Sequence, residues 1–379
     1  MTNLKKRKKN MKRISILLAS VFCLTAVTTS CNDEWTEEQY EHYISFKSPL
    51  DDTGGVTSVY VPFTRHNDDG TEMYGRGISS YQLPMIVSGT TTNSSNFTVK
   101  VAHDTDTLSV LNYAWFQNRE DLYYKDMSDY ATYPSTVDFV SGEDVSLLDI
   151  HFDFNNIDMV EKWVLPIMVV DDGTSPYESH PRKHYGKALL RVFPYNDYSG
   201  NYSATTLLVA NSPSKSGLSS AEGSGQETAR AYVVSEDEVF FYMGTVDESR
   251  TDRKNYKVYA KFIPKTNTDG TTSESEGTVQ MYADNEKNQF ECTGEATYTI
   301  YDKADDVKPY LNHHYIIISN INYTFKDYTI MGEEYYNQQL AEGVAEDDIF
   351  SMWYKCSGTL TLERQINTQI PNEDQAIDW

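Results

Sequence analysis

Runs of residues that alternate apolar and polar, separated by turn clusters, recur along most of this 379-residue chain. A period of two puts successive side chains on opposite faces, which suits a half-buried β-strand and not a helix. In the first half such runs occupy 43–47, 56–61, 81–87, 97–101 and 147–154. Residues 163–170 are more continuously apolar and read as a buried strand. Pro166 within them is expected at a sheet edge or a bulge, because proline donates no ladder hydrogen bond. Clusters such as Asp51-Asp52-Thr53-Gly54-Gly55 and His66-Asn67-Asp68-Asp69-Gly70 supply the turns. A strand over 187–193 closes this first set, and 194–199 mark the boundary. Longer runs follow near 228–234, 237–243, 255–263, 277–283, 289–301, 313–325 and 355–364. Residues 333–348 are the best helix candidate. The expected fold class is all-β: an N-terminal antiparallel β-sandwich over 41–195, then a barrel or second sandwich over 196–367, then a tail over 368–379.

The N-terminus has a different grammar. Lys5, Lys6, Arg7, Lys8, Lys9, Lys12 and Arg13 precede an apolar stretch over 14–27, which is followed by Thr28-Thr29-Ser30-Cys31. This is the order of a secretory signal, and the stretch is shorter than the ~20 residues that span a bilayer. The expectation is a lipoprotein signal over 1–30, read from Met1 or from Met11, with Cys31 lipidated as the first mature residue. The competing reading is a plain secretory signal cut near Ser30. An acidic linker over 31–40 follows. Its Asp33 and Glu34 resemble the surface-export signal of Bacteroidota lipoproteins, which implies the outer face of the outer membrane.

Charge limits the partners. The chain holds 32 basic and 56 acidic residues, a net −24. Loss of residues 1–30 removes seven basic residues and no acidic one, leaving 25 against 56. So negative a field argues against nucleic acid and anionic membrane surfaces. Beyond residue 31 only Cys292 and Cys356 remain, and the sequence leaves both a disulfide and two buried free thiols open. No C-x-x-C or H-E-x-x-H spacing occurs, and no metal or cofactor is expected. His313 and His314 adjoin at the start of a strand, where neighbours face opposite sides.

The strand over 43–46, Tyr81-Gln82-Leu83-Pro84, Pro134-Ser135-Thr136-Val137 and above all Lys162-Trp163-Val164-Leu165-Pro166-Ile167 carry a resemblance over roughly 40–195. They resemble the domain of unknown function found in Bacteroidota glycan-locus lipoproteins, which also precedes the catalytic barrel of some family-18 endoglycosidases. The second half is similar to C-terminal domains paired with it, which look like calycin-type barrels. Gly200-Asn201-Tyr202 would open that barrel and Gly358-Thr359-Leu360-Thr361-Leu362 would close it. The resemblance implies non-catalytic capture of a polysaccharide or N-glycan. It also implies an outer-membrane glycan porter and companion lipoproteins as partners, with an adhesin role as the alternative.

Asp149, Asp153, Asp158 and Glu161 have the acids of a family-18 glycosidase motif but not its spacing, and read as solvent-facing positions of a hairpin. Binding is the sharper expectation. Sugar rings offer apolar C–H faces that aromatic rings can stack on, and hydroxyls that polar side chains can bond. Tyr113, Trp115, Tyr123, Tyr124 and Tyr130 lie in one segment rich in Asn, Gln and Asp. It shows no clean strand or helix period, and reads as a recognition loop or as a cap on the sandwich. Tyr335, Tyr336 and Trp353 form a second set, placed to flank a barrel mouth or to pack a helix on the barrel.

Overall fold

The structure, a computed structural model, describes residues 41–47, 55–67, 69–181, 185–219, 223–370 and 377. The expected export signal over 1–30, Cys31, the acidic segment up to residue 40 and most of the tail lie outside the described residues.

The first domain comprises β1 (Tyr43–Phe46), β2 (Thr57–Pro62), β3 (Ile78–Val87), β4 (Phe97–His103) and helix α1 (Thr105–Phe116). There follow β5 (Tyr124–Asp126), β6 (Ala131–Thr132), β7 (Thr136–Phe139), β8 (Val145–Asp153), β9 (Lys162–Val169), β10 (Glu178–Ser179) and β11 (Lys187–Tyr195). One sheet has the order β10-β1-β3-β8-β6, and the other β2-β11-β9-β4-β7 with β5 beside β9. The alternation builds the core directly. In β8, Leu148, Ile150 and Phe152 point inward and meet Leu165, Ile167 and Leu190 of the facing sheet. Burying such side chains contributes about 1.5–3 kcal/mol each relative to exposure. The sheets are mixed rather than purely antiparallel: β11 pairs β2, β1 pairs β10 and β5 pairs β9 in parallel. Asp149 and Asp153 face solvent on β8, but Asp158 and Glu161 lie on the segment that crosses to the other sheet, so the four acids are not on one hairpin.

Two expectations need correction here. Pro166 sits neither at an edge nor in a bulge; β9 has neighbours on both sides. Its missing donor falls where one neighbour gives way to another. β4 pairs β9 as far as His103↔Ile167, and β5 takes over at Asp126↔Val164. In that gap the Pro166 carbonyl accepts from Asp104 N at 3.0 Å. The aromatic segment begins as a helix and not as a loop. Asp104 caps α1 by accepting from Thr107 N at 3.3 Å, and Leu108, Leu111 and Asn112 face the sheet. A polar residue at the centre of that stripe hid the period. Buried Asn112 donates Nδ2 to Tyr124 O at 2.9 Å and accepts from Tyr124 N at 2.8 Å, so it acts as a surrogate strand for β5.

The second domain is a closed barrel of eight strands. They are β12 (Gly200–Ser203), β15 (Thr228–Ser235), β16 (Glu238–Tyr242), β17 (Lys257–Thr266), β18 (Thr272–Tyr282), β20 (Ala296–Ala304), β21 (Leu311–Asp327) and β22 (Met352–Asn367), with β22 returning to β12 and β21. Short strands β13 (Leu207–Ser212), β14 (Ser224–Gly225) and β19 (Glu291–Cys292) extend it, and α2 (Glu333–Ala341) precedes β22. β12 and β13 succeed each other along β22, and Gly358 stands at the changeover. Its φ is +141°, and a Cβ there would lie 2.0 Å from Thr206 O, so only glycine fits. Tyr202, Phe241, Tyr256, Phe262, Tyr298 and Phe325 fill the interior.

The domains meet without a loose linker. Arg364 donates to the carbonyls of Asn196, Asp197 and Ser199, at 3.2, 3.0 and 2.5 Å. Met159 and Val160 of the first domain pack with Tyr232 and Phe240 of the second. Arg253 is buried in this joint. It bonds Val160 O at 3.1 and 3.2 Å, and reaches Asp121 O at 3.3 Å.

Candidate functional site

Beside this joint the second domain opens a cleft of about 400 Å³ lined by Gln226, Arg230, Tyr232, Tyr242, Asp247 and Glu248 among others. That lies at the lower end of the volumes ligand pockets occupy. β15 forms one wall. The other is the loop leaving β16, fixed from below by Arg250. This guanidinium bonds buried Asp252 at 2.6 Å and buried Asp327 at 2.6 and 2.8 Å, and lies 4.2 Å over the Tyr256 ring. Two buried carboxylates paired to one guanidinium hold the loop in a single position.

Glu248 is the pivot. Its carboxylate accepts from Arg191 of the first domain at 2.8 and 2.9 Å and from the Tyr232 hydroxyl at 2.6 Å. Burial pushes its pKa up, but Arg191 and the Tyr232 hydroxyl outweigh this and hold it below the ordinary glutamate value. The outer face of β9 and β11 explains where Arg191 comes from. Near α1 that face is apolar, with Val164 and Leu189 under Leu108. Past the end of the helix it continues as Lys162, Arg191 and Phe193. Two guanidinium groups approach the Phe193 ring, Arg191 at 4.5 Å and Arg230 at 4.2 Å. Lys162 stands over the Phe116 ring at 5.3 Å, and Arg119 reaches Ser249 O at 3.5 Å.

The structure divides the aromatic residues singled out in the sequence. Tyr113 is exposed on the outer side of α1, two positions from Trp115, so the two rings do not share a face. Trp115 meets Phe116 and Tyr124 edge-on, with centroids at 6.4 and 6.0 Å. Tyr124 faces Arg191 at 6.0 Å, and the Tyr123 hydroxyl donates to Gln117 O. Tyr124 therefore lies toward the joint, while Tyr123 stays with the end of α1. Tyr130 packs edge-on against Trp163 at 5.1 Å, on the margin of the sandwich core. Trp163, expected in the core, is only half-buried and donates Nε1 to Asp158 O at 2.8 Å. In the second set Tyr335 is exposed and Tyr336 is buried against Tyr328, while Trp353 carries Lys215 over its ring at 5.1 Å. None of these three lines the cleft. The cleft itself was not read from the sequence. Its one signal is Arg191, a charge inside the apolar run 188–193.

The remaining reactive groups lie elsewhere. Cys292 pairs with Tyr323, and Tyr323 pairs with Cys356. Two strand spacings, about 10 Å, exceed the reach of a disulfide, and both thiols are free. Cys356 is buried, which pushes its pKa up to about 12. His313 bonds Glu363 at 2.7 Å and Asp305 at 3.1 Å, and His314 bonds Asp302 at 2.8 Å.

Comparison with known proteins follows the same two halves. A family model described as a domain of unknown function, DUF4973, matches residues 35–173. A second model, for a C-terminal domain, matches 186–341. An auxiliary nutrient binding protein from Bacteroides thetaiotaomicron is 44% identical, with 90% of this chain and 100% of that one covered and a TM-score of 0.74. A Bacteroides ovatus protein of unknown function is 37% identical over 89% of this chain and 100% of that one, TM-score 0.71. A multidomain Bacteroides ovatus protein including DUF1735 is 36% identical over the same shares, TM-score 0.71. No functionally curated protein matches.

Proposed function

The chain belongs to the family of two-domain Bacteroides proteins that includes this auxiliary nutrient binding protein, and from that premise we propose that it holds a glycan without cutting it. It does so as a lipoprotein anchored through Cys31 at the outer face of the outer membrane, beside a glycan porter and companion lipoproteins. The observation that carries the reading is the cleft at the domain joint, whose amide, hydroxyl, guanidinium and aromatic groups suit sugar hydroxyls and ring faces. Glycoside hydrolysis needs a carboxylic acid whose pKa is raised so that it can protonate the leaving oxygen. Glu248 is held the other way. A tether raises the local glycan concentration, so weak affinity at one site suffices for capture.

The test is a glycan-array screen of the purified protein, followed by product analysis on every hit. Retained glycan with no released product is expected. Released product would overturn the non-catalytic reading, and capture of a protein without dependence on sugar would favour an adhesin. Labelled palmitate incorporated by the wild type and absent from Cys31→Ala is the expected signature of the anchor.

A further inference from the structure

We infer that the ligand is a glycan that reaches from this cleft over its Glu248–Ser249 rim and carries an isolated anionic group, a uronate carboxylate or a sulfate ester, seated beside that rim against Lys162, Arg119 and Arg191. The inference rests on the glycan-holding reading and names its substrate class.

Local charge at the joint favours an anion. Arg119, Lys162, Arg191 and Arg230 converge on this corner of the joint in a chain whose net charge is −24. Glu248 is the carboxylate among them, and its oxygens are already taken by Arg191 and Tyr232. Nearby acids are directed elsewhere: Asp247 of the cleft accepts from Ser249 N and Oγ at 2.8 and 2.5 Å, Glu161 lies 3.9 Å from Arg253, and Asp158 lies 3.5 Å from Lys257. Lys162 is left over. Among the described residues its ammonium has no hydrogen-bond acceptor and no carboxylate at ion-pair distance, only the face of Phe116. Burial pushes its pKa down, and Arg253, Arg191 and Arg119 push further in the same direction against Glu248. A half-buried ammonium crowded by guanidinium groups gains from an incoming anion, which supplies the missing acceptor and relieves the repulsion. A neutral sugar would supply only the acceptor.

The acidic surface of the chain does not cancel this. Fields are screened over about 8 Å at physiological salt, so the groups at the site decide what is held there. The long-range field still disfavours densely charged chains, and for that reason the anionic groups are expected to be sparse.

The test uses the purified protein on an array of neutral, uronate-bearing and sulfate-bearing oligosaccharides, with calorimetry on the hits. Acidic oligosaccharides are expected to bind, and the class of the hits separates carboxylate from sulfate. Lys162→Gln should weaken them about tenfold, the scale of a charged hydrogen bond, with unchanged melting, and Lys162→Arg should restore them. Hits confined to neutral glycans would overturn the anionic inference and leave glycan holding intact. Acidic hits indifferent to Lys162→Gln would do the same. An array without any hit would overturn both.

Discussion

The barrel interior and the domain joint invite opposite uses of the same residue types. A barrel of eight strands is just wide enough to be filled by side chains or to hold one small ligand. Here it is filled. The tyrosines and phenylalanines of the interior leave a cavity of about 20 Å³, room for about one water and not for a sugar ring. At the joint, aromatic rings instead carry guanidinium groups on their faces, and about 400 Å³ stays open. A calycin-like fold directs attention to the inside of the barrel. The packing leaves the open cleft on the rim where the two domains meet, and a fold does not by itself fix where a ligand sits.

The largest effect is expected from the interior. Phe262 is buried, stacks on Tyr198 at 3.8 Å and meets Tyr298 edge-on at 5.2 Å. Phe262→Ala should cost about 3–5 kcal/mol, read from denaturant unfolding, with glycan affinity unchanged in the folded fraction. A variant of wild-type stability, or one with altered ligand selectivity, would place the ligand inside the barrel and remove the contrast.

The joint should respond more weakly to substitution and more strongly to acid. Glu248→Gln removes the charge that Arg191 and Tyr232 bond, at about 1–3 kcal/mol near neutral pH. Because the folded carboxyl lies below its ordinary value, its contribution is complete above the unfolded value of about 4.3 and fades as pH falls through the folded one. The wild type should therefore lose its advantage over Glu248→Gln in acid. Equal slopes of stability against pH would show that Glu248 is not held by its partners.

How much of this was legible follows from where the information sits. Period-two alternation and a continuous apolar run are both local signals, so β3 and β8, β9, and the long barrel strands are legible in the chain. Helix α1 was missed because Asn112 occupies the centre of its buried stripe, for a reason that exists only once β5 lies beside it. The aromatic segment was noticed as composition, but its rings part company in space: Tyr124 turns to the joint, Tyr113 to solvent and Tyr130 to the sandwich. The cleft was invisible because its charged partners are far apart in sequence. Arg191 finds Glu248 across 57 positions, and Arg253 reaches Val160 across 93. Nothing in the vicinity of any one of them announces the pair.

The smallest effect separates the Arg191–Glu248 pair at the joint from a histidine bonded on the outer face of the barrel. On the outer face of the barrel His313 is bonded by Glu363 and Asp305, and those two acceptors raise its pKa above the ordinary value. The sign is opposite to that of Glu248. A raised histidine contributes fully below its unfolded value of about 6.5, and the contribution is lost as pH rises through the higher folded value. Asp305, held down to about 2 by the backbone N–H of Lys308 and by His313, responds only in acid and does not obscure this window. His313→Gln should therefore flatten a shallow fall in stability above about pH 6.5, and added salt should flatten it in the wild type, since His313 and its two carboxylate partners all keep part of their surface in solvent. A slope that resists salt would mean that solvent does not reach this pair.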